Sequence, residues 1–127
     1  MEMRLELVMV PVTDVDEAKD FYTRVGFVVD HDHTVSEQAR FVQLTAPGSA
    51  CSIAVGRGLT EMDPGSLDNL QMVVPDADAV YADLRGRGIE AEGVADLAWG
   101  RFVSFRDPDG NRWSLQELPH AAANATR

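Results

Sequence analysis

The sequence predicts an α+β protein made of two tandem βαβββ units. Two observations carry that expectation. The chain repeats itself: Asp14 lies over Asp76, Asp16 over Asp78 and Gly26 over Gly88. Further on, Arg40-Phe41-Val42 lies over Arg101-Phe102-Val103 and Pro47 over Pro108, one residue closer in register. Self-similarity of this kind marks a duplicated structural unit, here about residues 3–60 and about 66–118. Within each copy, the hydrophobic period also passes from strand-like to helical and back to strand-like. The expected organisation is one domain over residues 1–127, with a flexible tail at 119–127.

Each unit opens on an apolar run bounded by turn residues, LELVMVPV in the first and LQMVVP in the second. These read as strands. In the first unit Thr13 or Asp14 then caps a helix whose apolar residues Val15, Ala18, Phe21, Tyr22 and Val25 fall on one face. Gly26 stops it, because glycine takes the positive φ of a helix terminus without strain. In the second unit Asp76 caps a run with Ala77, Val80, Tyr81 and Leu84 on one face, ended by Gly86 and Gly88. Short strands follow, FVVDHD and IEAEG, and each unit closes with a hairpin: ARFVQLT with CSIAV, then RFVSF with RWSLQEL.

A chain of 127 residues can bury a substantial core. No run approaches the ~18 apolar residues that span a bilayer, and MEMRLELVMVPV lacks the basic start and long apolar stretch of a signal peptide. Cys51 stands alone, which excludes an internal disulfide and suits a reducing cytoplasm. The Asn124-Ala125-Thr126 sequon is then not expected to meet a glycosylation system. The formal charge of −10, from 21 acids and 11 bases, repels nucleic acid and anionic membranes and suits a cationic ligand or a basic partner. An acidic surface also simply keeps a protein soluble.

The stretch FRDPDGNRWSLQE, Phe105 to Glu117, could be an acidic metal loop or a turn. Turn chemistry favours the second: Pro108 presets φ, and Gly110 or Asn111 can take positive φ. A calcium loop needs alternating oxygen ligands and a late glutamate, and Pro108 interrupts that pattern.

VPVTDVDEAKDFYTRVGF in the first unit, with VVPDADAVYADLRGRGIEAEG and WGRFVSFRDPDGNRWSLQE in the second, resembles the vicinal oxygen chelate superfamily, the glyoxalase/bleomycin-resistance/dioxygenase group. The resemblance covers nearly the whole chain. It implies a curved mixed sheet around a concave cavity, and a homodimer. It does not imply one reaction, since the fold hosts many. In metal-dependent members each unit offers one ligand on its first strand and one on its last. Carried onto this chain those positions are Leu7, Ile53, Asn69 and Ser114. Leu7 and Ile53 have no donor atom, and a neutral amide and hydroxyl are weak ligands for a divalent transition metal. The expectation is therefore no metal and no cofactor.

Strand alternation places residues in phase with those positions on the cavity side. From the first unit these are Leu7, Met9, Phe41 and Ile53, an apolar half, together with Gln43. From the second they are Asn69, Gln71, Ser104, Arg112, Ser114 and Gln116, a polar half, with Trp99 either a stacking wall or a loop anchor. Phe102 shares the phase of Ser104. Such a surface suits a moderately polar organic ligand, or it is a wet sheet face or dimer interface. His31 and His33 share a strand face and read either as a solvated strand end or as a metal or acid–base site. Cys51 has no base or cation placed to activate it and reads as a small buried residue.

Two functions remain. One is a metal-independent small-molecule-binding protein, bleomycin-resistance-like, sequestering or recognising its ligand in the cytoplasm without nucleic-acid or membrane partners. The other is a glyoxalase-like lyase or isomerase acting on a small carbonyl compound without the usual metal, with Tyr22 or a histidine moving protons. No catalytic residue is assigned.

Overall fold

The computed structural model describes residues 1–119. The expected tail, from residue 120 onward, lies outside the described residues, as does the sequon at Asn124. The elements run β1 (Leu7–Met9), α1 (Val15–Val25), β2 (Val28–Ser36), β3 (Ala39–Thr45), β4 (Ser52–Arg57), β5 (Asp68–Val73), α2 (Ala77–Gly86), β6 (Ala91–Leu97), β7 (Gly100–Arg106) and β8 (Arg112–Glu117). They form two four-stranded mixed sheets, ordered β1-β4-β3-β2 and β5-β8-β7-β6, each with one helix. In each sheet the first strand pairs parallel with the last, and the others pair antiparallel.

The helices begin where the sequence places an acid. Asp14 accepts from the Glu17 amide at 3.0 Å, and Asp76 from the Ala79 amide at 3.2 Å. Each satisfies one of the free donors at a helix start. Asp14, not Thr13, is thus the α1 cap. Gly26 ends α1 at φ 128°.

β2 and β6 run further than their apolar patterns suggest. β2 is exposed along nearly all its length, so burial did not mark it. It forms because β3 offers a ladder that runs, with irregularities at Asp30 and Val35, to Ser36 opposite Ala39. The polar TVSEQAR stretch is therefore a tight hairpin. Likewise β6 reaches Leu97 opposite Gly100, leaving Ala98 and Trp99 as the tip of the β6–β7 hairpin.

Two compact units result. Unit 1 comprises residues 1–67 together with 107–111, and unit 2 comprises 68–106 with the chain from Arg112. The core of unit 1 holds Val15, Ala18, Phe21 and Tyr22 of α1 with Val42, Leu44, Ile53 and Val55 of its sheet. That of unit 2 holds Ala77 and Leu84 with Val103, Phe105, Trp113 and Leu115.

The DPDGN turn belongs to unit 1 although it joins two strands of unit 2. Asp107 Oδ1 accepts from the backbone amides of Asp109, Gly110 and Asn111 at 2.9–3.0 Å. Its Oδ2 accepts from the Tyr22 hydroxyl at 2.7 Å and from Asn111 Nδ2 at 2.8 Å. Asn111 also donates to the Pro11 carbonyl at 2.8 Å, and Asp109 accepts from the hydroxyl and amide of Thr13 at 2.6–3.2 Å. The stretch is a turn whose acids face protein donors, not a cation loop. Tyr22 is fully buried with its hydroxyl engaged, and so does not act as the proton-transfer group considered above.

Candidate functional site

In unit 2 the register sets side chains in rows across the sheet, because directly paired residues share a face. One row runs Gln71, Ser114, Ser104, Glu92, and the next Val73, Gln116, Phe102, Ala95. Val103, Phe105, Trp113 and Leu115 alternate with them and are buried on the opposite face, where α2 packs. The row-bearing face opens into a cavity of about 410 Å³, within the size range of small-molecule pockets. Its lining includes Asn69, Gln71, Trp99, Ser104, Arg112 and Ser114, six of the residues expected from the sequence. Phe102, placed there by alternation, also lines it.

The polar groups are arranged rather than scattered. The Ser114 hydroxyl donates to Asn69 Oδ1 at 2.8 Å, so the Asn69 amide keeps its donors for other partners. Arg112 Nη1 donates to Asp68 Oδ1 at 3.0 Å, so its charge is largely balanced. Gln71 Nε2 donates to Gln116 Oε1, and Gln116 Nε2 to the Trp99 carbonyl, both at 2.7 Å. The side chains of Glu92 and Ser104 make no hydrogen bond or ion pair among the described residues. The apolar part of the wall is Phe102, Leu97 and Trp99, and Trp99 stands at the hairpin tip with 61% of its surface exposed. The indole is thus a wall of the cavity and not a core anchor.

Several expectations change. Gln116 does not line the cavity; it is 8% exposed, with both ends of its amide bonded. Leu7, Met9, Phe41 and Gln43 belong to unit 1 and do not line this cavity. They do share one face, since Leu7 pairs with Ser52, Met9 and Gln43 with Ala54, and Phe41 with Gly56. Ile53 is not on that face. It pairs with Leu44 and is 4% exposed, in the unit 1 core. The turn from 46 to 51 is one residue longer than the turn from 107 to 111, so the repeat slips by one between β3 and β4. A slip of one inverts every side chain of a strand. Ala54, not Ile53, is therefore the counterpart of Ser114.

Glu92, Gly93, Val94, Ala95 and Leu97 also line the cavity and were missed. They lie on the part of β6 around its irregular register between Glu92 and Ala95. A hairpin partner as long as RFVSF was the available signal, since it needs an equally long strand opposite. Gly93 is required there: a Cβ would stand 2.8 Å from Tyr81 Cδ1 and 3.3 Å from Val103 Cγ2.

The metal positions of the resemblance now read Leu7 and Ala54 in unit 1, Asn69 and Ser114 in unit 2. Two hydrocarbon side chains and a neutral amide–hydroxyl pair bonded to each other do not fit a divalent transition metal, which needs imidazole, carboxylate or thiolate. Among the described residues no three His, Cys, Asp or Glu side chains group as a metal site. His31 and His33 are exposed on β2 opposite Gln43 and Phe41, with rings stacked 5.9 Å apart. Cys51 is half-buried, and burial, then the Glu6 carboxylate, push its thiol pKa up, against nucleophilic use. No described helix is long and apolar enough to cross a membrane.

Comparison with known proteins places these features. TnmS3, an antibiotic binding protein from Streptomyces sp. CB03234, is 35% identical, with a TM-score of 0.83 over 93% of this chain and 98% of its own. A glyoxalase/bleomycin resistance protein/dioxygenase superfamily member from Sphaerobacter thermophilus DSM 20745 is 29% identical, with a TM-score of 0.80 over 91% of this chain and 98% of its own. The protein YetH of Bacillus subtilis (strain 168) is 27% identical over 120 residues, covering 92% of this chain and all of YetH. The family model matches residues 4–115, and the chain belongs to the Glyoxalase/Bleomycin resistance protein/Dioxygenase superfamily.

Proposed function

We propose that this chain is a metal-independent small-molecule-binding protein of the bleomycin-resistance type, with its ligand held in the unit 2 cavity. The observation that carries the reading is the composition of that cavity. Asn69, Ser104 and Glu92 give its lining an amide, a hydroxyl and a carboxylate, and Phe102, Leu97 and Trp99 form its apolar part. A few directional polar groups beside flat apolar surface suit a moderately polar organic molecule with an aromatic or extended apolar portion. TnmS3 is described as an antibiotic binding protein, which makes an antibiotic the first ligand class to test. The role is sequestration, with Asn69, Gln71, Trp99, Ser104, Arg112 and Ser114 as contacts. In the same reading the protein is a cytoplasmic homodimer.

The test combines melting shifts, calorimetry and product analysis over a panel of aromatic and glycopeptide antibiotics and small carbonyl compounds. The expected result is a saturable melting shift with unaltered ligand. At a hundredfold excess over Kd, linkage gives about 2.7 kcal/mol of added stability. Trp99→Ala and Asn69→Leu should each weaken binding. Turnover of a carbonyl compound, or a stoichiometric divalent metal required for binding, would overturn the reading. Light scattering on the purified chain checks the dimer.

A further inference from the structure

Gln116 occupies a position that alternation alone would assign to ligand contact, yet nothing on it is free to make one. Its Oε1 accepts from Gln71 Nε2 and its Nε2 donates to the Trp99 carbonyl, both at 2.7 Å. The side chain is buried beneath the hairpin tip. Gly100 completes the seat: at φ 147°, a Cβ there would lie 2.6 Å from the Glu117 carbonyl and 3.1–3.3 Å from Gln116 Cγ and Nε2. The hairpin tip can sit down on Gln116 only because residue 100 has no side chain.

We propose that Gln116 is a positioning residue. It ties the β6–β7 tip to Gln71, which lines the cavity, and so sets where the Trp99 indole stands. Two short bonds in series, from a cavity-lining amide to the backbone of a cavity-lining tryptophan, have this consequence whatever occupies the cavity. The tip is a two-residue turn, and Trp99 itself is mostly exposed. The tie to Gln116 therefore restrains a segment that side-chain packing leaves loose. The bearing of this on ligand binding rests on the cavity being the ligand site.

Hydrogen–deuterium exchange on the full chain tests the tie without a ligand. Gln116→Leu removes both bonds. Gln116→Glu keeps the acceptor for Gln71 and loses the donor to Trp99, while Gln71→Leu spares the bond to Trp99. Exchange of the tip amides, residues 97–101, should rise about 5-fold in both Gln116 variants, the size of one lost hydrogen bond, and less in Gln71→Leu. In a Trp113→Phe background, the fluorescence anisotropy of Trp99 should fall in the Gln116 variants. Wild-type exchange at the tip in Gln116→Glu overturns the proposal. So does an equal rise along β7 and β8, which would make Gln116 an ordinary structural residue. The probe 8-anilinonaphthalene-1-sulfonate separates this inference from the functional one. If it binds the wild type through Trp99, its affinity should drop about 5-fold in Gln116→Glu. If it ignores Trp99, the cavity reading suffers, and the exchange result alone decides the role of Gln116.

Discussion

Tyr22→Phe is the sharpest test of how the DPDGN turn is held. The substitution deletes one oxygen from a fully buried side chain and keeps the ring, which packs edge-on against Phe21 and Phe27 at 5.3 and 5.4 Å. No cavity opens, so the loss is the hydrogen bond to Asp107 Oδ2. That oxygen keeps Asn111 Nδ2 at 2.8 Å, and Oδ1 keeps its three backbone amides. The carboxylate is thus weakened as a hub without being stranded. A hydrogen bond to a charged group is worth about 1.5–3 kcal/mol net, so a loss of about 2 kcal/mol is expected. For a chain of this size that is a fall of roughly 6–10 °C in Tm. Asp107→Ala should cost more, about 3–5 kcal/mol, because the carboxylate accepts five hydrogen bonds, although the Gly110 amide keeps the Asp107 carbonyl and Asn111 Nδ2 the Pro11 carbonyl. Urea denaturation followed by circular dichroism measures both. A Tyr22→Phe variant within about 0.5 kcal/mol of wild type, the range of ordinary surface substitutions, would refute the hub. A calcium-dependent rise in Tm that vanishes in Asp107→Ala would refute the reading of the stretch as a turn.

Three further outcomes are expected. The Arg40 guanidinium, with Lys19 second, holds the Asp32 carboxyl well below the usual carboxylate range. A depressed folded-state pKa contributes stability that is complete above the unfolded value, about pH 4, and fades as pH falls below it. Asp32→Asn should therefore be less stable than wild type at pH 7, with the gap closing in acid; a constant gap in urea titrations down to pH 3 would contradict this. Gly93→Ala should destabilise by about 1–3 kcal/mol, because the new methyl meets Tyr81 and Val103, and the same denaturation assay reads it. Cys51 should react with iodoacetamide more slowly at pH 8 than a free cysteine, since burial disfavours its thiolate; mass spectrometry of the time course decides it.

Much of the site was legible because strand alternation is local. Gln71, Ser104 and Ser114 share one row, and Asn69 and Arg112 line the same cavity from β5 and β8, although the β5–β8 register is irregular at Asn69. Where the phase failed, a turn length was responsible. The extra residue between β3 and β4 moved Ile53 to the core and put Ala54 in its place. Glu92 was hidden for another reason: β6 has little apolar pattern and exists because β7 pairs with it. Gln116 was on the right face, but hydrogen bonding and not orientation decides what it does.

The chain's own composition determined the two βαβββ units, the acidic helix caps at Asp14 and Asp76, and the turn at DPDGN, because period, capping and turn chemistry act over a few residues. Tertiary structure decided the rest. It drew residues 107–111 into unit 1, where Tyr22, Pro11 and Thr13 bind them. It also brought Gln71, Gln116 and the Trp99 carbonyl together in a hydrogen-bonded bridge joining residues far apart in the chain. Those contacts depend on which strands lie side by side and in what register, and no local pattern carries that information.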